Sequence, residues 1–274
     1  MPAEVVDLLR CPLCGGDLAL AEGSVRCPAG HSFDVARQGY VNLVPGSADT
    51  PEMVEARDAF LGAGHLRRLS ERLAEEATTV QAPGAVVDLG AGTGHHLAAV
   101  LDAASERTGL ALDASPAALR RAARSHPRAA AIGADAWRDL PIKDGVAAVV
   151  LSIFAPRNPA EMARILTQGG SLIAVTPTTR HLAELVGPLG LLSVPEDKED
   201  RLDAKLDSNF ELASRRGVEY AMFLSRDEAA QIVRMGPSAW HVDDEGVEQR
   251  VGRLAEPTTV TMSVTLSRYV RERP

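Results

Sequence analysis

From residue 84 onward, short apolar runs alternate with segments of helical periodicity. Five of these runs are predicted to be strands, in the order Ala85–Leu89, Thr108–Leu112, Ala129–Gly133, Val146–Ile153 and Ser171–Thr176. Each run is continuously apolar, which is typical of strands that are buried on both faces of a sheet. Because strands that alternate with helices form parallel sheets with helices on both faces, the pattern predicts a doubly wound α/β domain.

The last third of the chain has a different pattern. Two runs with longer alternation, Val218–Leu224 and Thr259–Tyr269, flank a helical pattern over Arg226–Met235. They are predicted to pair antiparallel at the sheet edge, which completes a seven-stranded sheet. The acidic stretch Pro195–Asp207 is interpreted as a solvated surface or helix face.

Between residues 45 and 83 the sequence predicts a linker and two helices. Residues 45–51 are rich in turn-forming types, and Pro51 opens a helical pattern. A second pattern runs from Leu66 to Ala77 before Pro83 stops it. We expect this antiparallel helix pair to cover the entrance of the larger domain. The predicted units are therefore residues 1–44, 45–83 and 84–274.

Composition places the chain among globular proteins. Its 274 residues, 45% hydrophobic and 24% charged, are enough for one large domain with an appendage. The longest apolar stretch, Val146–Pro156, is shorter than a membrane helix, and Met1–Arg10 carries acidic residues where a signal peptide has basic ones. We therefore expect a cytoplasmic protein without a membrane partner.

The overall charge excludes one class of nucleic-acid binder. The formal net charge is −8, so no global positive field attracts the chain to a phosphate backbone. Contact with RNA would require a local patch.

All three cysteines lie in the first tenth of the chain. Cys11 and Cys14 form one close pair, and Cys27 and His31 form a second pair a dozen residues later. Four soft ligands on two such pairs are typical of a tetrahedral zinc site, and four protein ligands leave no open position for catalysis. Free buried thiols are the alternative, and a disulfide is not expected in a cytoplasmic protein. The zinc is predicted to be structural.

A glycine-rich turn follows the first predicted strand. The dinucleotide-binding pattern requires its third glycine at position 95, but that residue is His95 and the third glycine is Gly94. The segment from Asp88 through Gly90 and Gly92 instead resembles the first motif of class I methyltransferases, which bind S-adenosylmethionine. Glycines let the backbone approach the ligand, and the Asp88 carboxylate suits its amino group. A turn without a ligand is the alternative.

Two further acidic residues end predicted strands. Asp113 follows the second strand, where a carboxylate reaches ribose hydroxyls in nucleoside-binding folds. Asp135 follows the third strand, where methyltransferases often bind the adenine amino group. Its alternative role is that of a surface helix cap.

The ends of the fourth and fifth strands carry the substrate-side candidates. Phe154, Pro156 and Arg157 follow the fourth strand, where substrate meets cofactor in open parallel sheets. Phe154 suits stacking on a base and Arg157 suits a phosphate; packing and solvation are the alternatives. His181 follows the fifth strand and is a candidate ligand at the same edge.

These segments together resemble one family, the 23S ribosomal RNA guanine-N1 methyltransferases, a group that includes macrolide-resistance enzymes of antibiotic producers. The resemblance covers nearly the whole chain. Besides the zinc ligands and the glycine motif, it rests on residues 31–43, 63–65, 154–156 and 176–182.

The resemblance implies a zinc ribbon that helps to recognise an RNA hairpin, and a domain that holds S-adenosylmethionine against Gly90, Ala91 and His181. It implies transfer of the sulfonium methyl group to guanine N1 of 23S rRNA by direct displacement. Family members also tend to pair as homodimers. The cofactor pocket includes positions where this chain departs from its relatives: Leu66 replaces a frequent tyrosine, and His95 and His96 replace aromatics.

Two other functions remain open. A small-molecule methyltransferase would use the same cofactor domain and would keep the zinc site only for stability. A non-catalytic RNA-binding relative would keep the fold without turnover. No general base is assigned, because the loop after the fourth strand contains neither Asp nor Glu.

Overall fold

A computed structural model describes residues 1–46, 49–236 and 244–271. Residues 47 and 48 of the predicted linker lie outside the described residues. The amino-terminal region contains a short helix and four short strands: α1 (Ala3–Val6), β1 (Ala19–Ala21), β2 (Ser24–Arg26), β3 (Ser32–Asp34) and β4 (Val41–Asn42). The first three strands form an antiparallel sheet of their own.

The rest of the chain alternates strands and helices. The strands are β5 (Ala85–Leu89), β6 (Gly109–Asp113), β7 (Ala129–Gly133), β8 (Ala147–Ile153), β9 (Leu166–Pro177), β10 (Phe210–Leu224) and β11 (Thr258–Arg271). The helices are α2 (Pro51–Gly62), α3 (Arg67–Thr78), α4 (His95–Ala103), α5 (Pro116–Ala122), α6 (Pro159–Ile165), α7 (Ala183–Leu189), α8 (Lys198–Leu206), α9 (Arg226–Met235) and α10 (Asp244–Val251). None of these helices combines the length and the apolar character that a membrane span requires.

The large sheet has the order β10-β11-β9-β8-β5-β6-β7-β4. β11 runs antiparallel to both of its neighbours, and the pairs on the other side of β9 are all parallel. The predicted α/β class and the antiparallel pairing of the last two strands are confirmed. β5 lies in the middle of the sheet, between β8 on one side and β6 on the other. Because these three strands are parallel, their carboxyl ends lie at the same edge of the sheet.

The predicted number of strands was one too low, because the zinc-binding region itself contributes a strand. In β4, Val41 pairs with Ile132 and Asn42 pairs with Gly133 of β7. A Cβ atom on Gly133 would lie 2.2 Å from Asn42 Oδ1, so this close approach requires glycine. The predicted domain boundary after residue 44 therefore follows shortly after a strand of the main sheet in the sequence, so residues 1–44 are not separate from that sheet.

The amino-terminal region also packs on one face of the sheet. Leu9 and the ligand candidates Cys11 and Cys27 belong to the same buried cluster as Leu110 of β6 and Ile132 of β7. The zinc-binding region shares the covering of this apolar face with α6 and α8, whose Met162 and Leu202 belong to the same cluster.

The opposite face is covered by helices. The expected helix pair is present, but α2 packs chiefly on α9 and α3 packs on α4, rather than on each other. Apolar residues of both helices, Phe60 and Leu69 among them, are fully buried against the sheet. The acidic stretch that was predicted to be surface contains α8, which packs on the same face as the amino-terminal region. It buries Leu202 and Leu206 there, and its charged residues are half-buried or exposed.

Candidate functional site

The four predicted zinc ligands meet at one point. Sγ of Cys11, Cys14 and Cys27 and a ring nitrogen of His31 all lie within 4.8 Å of one another. Two turns present them: the Gly15 amide donates to the Cys11 carbonyl at 2.8 Å, and the Gly30 amide donates to the Cys27 carbonyl at 3.0 Å. Each turn thus places two ligands side by side.

The distances between ligand atoms fit a tetrahedral zinc. His31 Nδ1 lies 3.4 Å from Sγ of both Cys11 and Cys27, and Cys14 Sγ lies 3.7 Å from Cys27 Sγ. Zinc bonds of about 2.3 Å to sulfur and about 2.0 Å to nitrogen give tetrahedral edges of about 3.5 to 3.8 Å. Three thiolates and a histidine close the coordination sphere, so the metal stabilises the fold and takes no substrate.

A cavity of about 700 Å³ opens at the carboxyl edge of the parallel strands. Most of the predicted cofactor and substrate residues line it: Leu66, Asp88, Gly90, Ala91, Gly92, His95, His96, Asp113, Asp135, Phe154, Pro156 and His181. Two predicted residues, Gly94 and Arg157, are not among the lining residues. The edge of the sheet therefore brings together side chains that are far apart in sequence.

The turn after β5 forms the floor of this cavity. The amides of Gly90 and Ala91 both donate to the Leu112 carbonyl at 2.9 Å, which ties the turn to the end of β6. Gly94 begins α4 with a φ of 79°, and a Cβ atom there would lie 2.5 Å from Ser125 Oγ. Gly94 therefore permits the packing of α4 against the segment after α5, instead of the ligand contact that the motif suggested.

Two buried carboxyl groups face the floor. Burial, with the nearby Asp113 charge, raises the pKa of Asp88 to about 7. Burial also raises the pKa of Asp113, although its carboxylate accepts hydrogen bonds from the Gly92 and Ser115 amides, both at 2.8 Å. A cationic amino group beside Asp88 and hydroxyl groups beside Asp113 would stabilise both charges. S-adenosylmethionine offers both kinds of group: its amino acid part carries the cationic amino group, and its ribose carries the hydroxyl groups.

Two histidines of the lining are uncharged at neutral pH. Burial lowers the pKa of His96 to about 3 and that of His181 to about 4. His96 Nδ1 lies 2.9 Å from Ser70 Oγ. His181 Nδ1 accepts a hydrogen bond from the Ser263 amide at 3.4 Å, so the neutral ring carries its proton on Nε2. His181 therefore has an Nε2–H group available as a hydrogen-bond donor.

Phe154 stands at the opening of the cavity in a strained conformation. Its φ is 53°, in the left-handed region, and its side chain is 46% exposed. The ring stacks on His181 with 5.7 Å between ring centroids and 28° between planes. Strained backbone with an exposed aromatic ring is typical of functional sites, since packing alone would select neither feature.

Arg157 requires a correction. Its guanidinium Nη2 donates to the Val175 carbonyl of β9 at 3.1 Å, and its Nε is buried without a hydrogen-bond partner. The side chain is thus bonded to strand carbonyls, and Arg157 is not among the residues that line the cavity. This position argues against the predicted contact with an RNA phosphate.

Sequence reasoning missed an ion pair of the cavity wall. Arg57 of α2 forms an ion pair with Asp49 at 2.5 Å and donates to the Met235 carbonyl at 2.8 Å. Both charged residues line the cavity. In the sequence Arg57 is one of four charged residues of α2, so no local signal distinguishes it from a solvated residue.

The pKa of Asp88 predicts the pH dependence of cofactor binding. Since a cation binds the ionised carboxylate, we expect affinity for S-adenosylmethionine to rise about tenfold per pH unit below pH 7 and to level off above it. Free of ligand, Asp88 keeps its proton in the folded chain between about pH 4 and pH 7, so the contribution of this one group to stability falls as pH rises through that window, whereas the lowered pKa values of His96 and His181 contribute with the opposite sign. Calorimetric titrations from pH 5.5 to 8.5 measure the first effect.

The matched variants are Asp88→Asn and Asp139→Asn; Asp139 is exposed and outside the cavity lining. Asp88→Asn should bind weakly at every pH, whereas Asp139→Asn should keep the slope. An Asp88→Asn profile with the original slope would assign the titration to another group.

Comparisons with known proteins agree with these features. A zinc-ribbon family model described as RlmA, N-terminal, matches residues 9–48, and a methyltransferase domain model matches residues 86–170. The chain is 48% identical to the 23S rRNA (guanine(748)-N(1))-methyltransferase of Streptomyces fradiae, over 97% of this chain and 98% of that one. A protein of Micromonospora griseorubida, described by inference as a 23S rRNA (guanine-N(1)-)-methyltransferase, is also 48% identical, over 98% and 99%.

One solved structure supports the fold. A methyltransferase in complex with the Trm112 activator of Haloferax volcanii aligns with a TM-score of 0.50 and 19% identity, covering 83% of this chain and all of that one. At this identity the likeness concerns the fold alone. With the methyltransferase domain model, it confirms the predicted class I methyltransferase fold. The two family models and the group of three cysteines and one histidine confirm S-adenosylmethionine and structural zinc as the cofactors.

Proposed function

The chain belongs to the family of 23S rRNA (guanine-N1)-methyltransferases, and we propose on that premise that it transfers a methyl group from S-adenosylmethionine to N1 of a guanine in a 23S rRNA hairpin. One observation of the site carries the choice of a nucleobase as acceptor. Phe154 has a strained backbone, and its half-exposed ring stacks on His181 at the opening of the cavity. A planar base can lie there over the methyl donor.

Each wall of the cavity has a role in this reaction. When bound, S-adenosylmethionine supplies the electrophilic methyl group that guanine N1 receives. Asp88 and Asp113 hold its polar ends, and the glycine turn holds it close to the sheet. Apolar side chains of α2, such as Phe60 and Leu61, exclude water. The chain therefore contributes orientation and desolvation.

The base is held by groups that match the Watson–Crick edge of guanine. Phe154 stacks on its face, and the Nε2–H of neutral His181 suits the O6 acceptor that adenine lacks. The N1 proton must leave as the new bond forms. Since residues 154–158 contain no carboxylate, that proton passes to solvent or to a carboxylate elsewhere in the cavity.

The decisive experiment incubates the purified protein with methyl-labelled S-adenosylmethionine and unmodified 23S rRNA, followed by nucleoside mass spectrometry. We expect labelled 1-methylguanosine. Label in a different nucleoside would refute the N1 assignment. Intact cofactor binding without label in naked RNA or in ribosomal particles would favour a small-molecule acceptor or a non-catalytic relative.

Phe154→Ala tests the base-holding role. We expect turnover to fall by about 5- to 150-fold, because stacking on an aromatic ring is worth about 1–3 kcal/mol per base. Phe154→Tyr keeps the stacking surface and should retain most activity. Affinity for S-adenosylmethionine should change in neither variant. Methylation of RNA by Phe154→Ala at the original rate would exclude the stack from catalysis.

We propose guanine 748 as the target, since the Streptomyces fradiae relative is named for that position and matches almost end to end. Mapping the label by primer extension tests it. We further propose that the enzyme works in the cytoplasm as an RNA-binding homodimer and that the modification protects ribosomes against macrolides. Sedimentation and the growth of methylated and unmethylated strains on macrolides test these finer points.

A further inference from the structure

An exposed tryptophan stands at the cavity opening without a part in the reaction described above. Trp137 is 63% exposed although it lines the cavity. Its amide donates to Asp135 Oδ1 at 3.0 Å, and its carbonyl accepts a hydrogen bond from Asn158 Nδ2 at 3.5 Å. The backbone that carries the ring is therefore held on both sides, and the exposed ring is presented in a fixed place.

A lysine from a distant helix lies against this ring. Lys205 Nζ of α8 is 4.9 Å from the centroid of the Trp137 ring. A cation at that distance is attracted to the face of the indole and restrains it. Because Lys205 lies over one face of the indole, the other face is open for stacking and a positive charge stands close to it. An aromatic face and a nearby positive charge are the two features that bind one nucleotide of a single strand.

The opening of the cavity collects exposed apolar side chains. Trp137, Phe154 and Leu192 all line it, and all three are large hydrophobic residues that the described structure leaves exposed. Concentrated exposure of this kind marks an interaction surface. Because this surface is continuous with the site that takes the target base, its occupant belongs to the same RNA strand.

We propose that Trp137 is the stacking platform for the RNA nucleotide adjacent to the target guanine, with Lys205 beside the phosphate that joins the two. This inference rests on the proposed function. A guanine that leaves its stack to enter the cavity deprives its neighbour of a stacking partner, and the indole replaces that partner. The local charge of Lys205 supplies the phosphate contact that a chain of net charge −8 cannot obtain from a global field.

Fluorescence gives a direct test that does not depend on turnover. The chain has one other tryptophan, Trp240, so a Trp240→Phe protein reports on Trp137 alone. Titration with unmodified 23S rRNA should quench its emission, and titration with S-adenosylmethionine should not. Quenching by the cofactor with none by RNA would assign Trp137 to the adenine pocket beside Asp135 and would overturn the platform.

Variants supply the second test. Trp137→Ala should raise KM for RNA about tenfold or more and leave the affinity for S-adenosylmethionine unchanged, while Trp137→Phe keeps most RNA affinity. Phe223→Ala is the matched control, since Phe223 is 65% exposed but lies outside the cavity lining. Lys205→Gln should weaken RNA binding and flatten its salt dependence.

The outcomes separate the two proposals. If the wild-type chain methylates no RNA, the proposed function fails. If it methylates 23S rRNA and Trp137→Ala does so with the same KM, the function stands and the platform is wrong.

Discussion

Gly90→Ala should abolish most cofactor binding and turnover although it adds a single methyl group. The new Cβ atom would lie 2.8 Å from the Cβ of Ala155, at a residue whose φ is 71°. Such a Cβ contact is too short, and left-handed backbone is strained for alanine. Since Gly90 forms the floor of the cavity and Ala155 follows Phe154, relief of the clash must displace the cofactor turn or the base-holding loop.

Two further variants separate the clash from the backbone strain. Gly145→Ala has a φ of 65° but no atom within 4 Å of the new Cβ, so it carries the strain without the clash. It should lose about 1 kcal/mol of stability and keep its activity. Ala155→Gly combined with Gly90→Ala removes the clashing atom and should restore part of the cofactor affinity. If the double variant binds no better than Gly90→Ala, the Ala155 contact is not the cause of the loss.

Sequence patterns predicted the strands that are apolar on both faces. The bounds of β5 and β7 agree with the predicted ones because every residue in them is buried. β10 begins at Phe210, eight residues before the predicted start, because its first half is an exposed edge strand without apolar alternation. β4 has only two residues, too few for any period to appear.

The residues of the candidate site also fall into two groups, those that the sequence located and those that it missed. The glycine turn, Asp88 and Asp113 are local to strand ends, so spacing located them. The hydrogen bond of Arg57 to the Met235 carbonyl and the contact of Lys205 with Trp137 join separate elements, and only the folded chain brings them together. Residue type and position after the fourth strand suggested a phosphate ligand at Arg157, but its guanidinium donates to the Val175 carbonyl instead.

Removal of zinc should destabilise the methyltransferase sheet together with the amino-terminal region. Cys11 and Cys27 lie in the buried cluster that covers one face of the sheet, and β4 pairs directly with β7. Structural zinc contributes about 10–16 kcal/mol in small isolated domains, against a total stability of about 5–15 kcal/mol for a typical fold. We therefore expect Cys11→Ser to lower the melting temperature of the whole chain by tens of degrees or to prevent folding.

The same contacts should carry the loss into the cofactor site. The amides of Leu43 and Val44 both donate to the Gly133 carbonyl, at 3.1 and 2.9 Å, two residues before Asp135 of the cavity wall. Chelated protein, verified as metal-free by elemental analysis, should bind S-adenosylmethionine more weakly at temperatures where it remains folded, and added zinc should restore binding.

Leu13→Ala is the matched control, because Leu13 lies between two ligands and is 68% exposed. A metal-free chain that melts at the original temperature would show that zinc is not structural, and two separate transitions would show that the ribbon unfolds independently of the sheet. Since β4 and the buried residues Leu9, Cys11 and Cys27 lie within residues 1–44, deletion of that segment would expose part of the sheet, so point variants of the zinc site are the sharper test of what the region does for RNA.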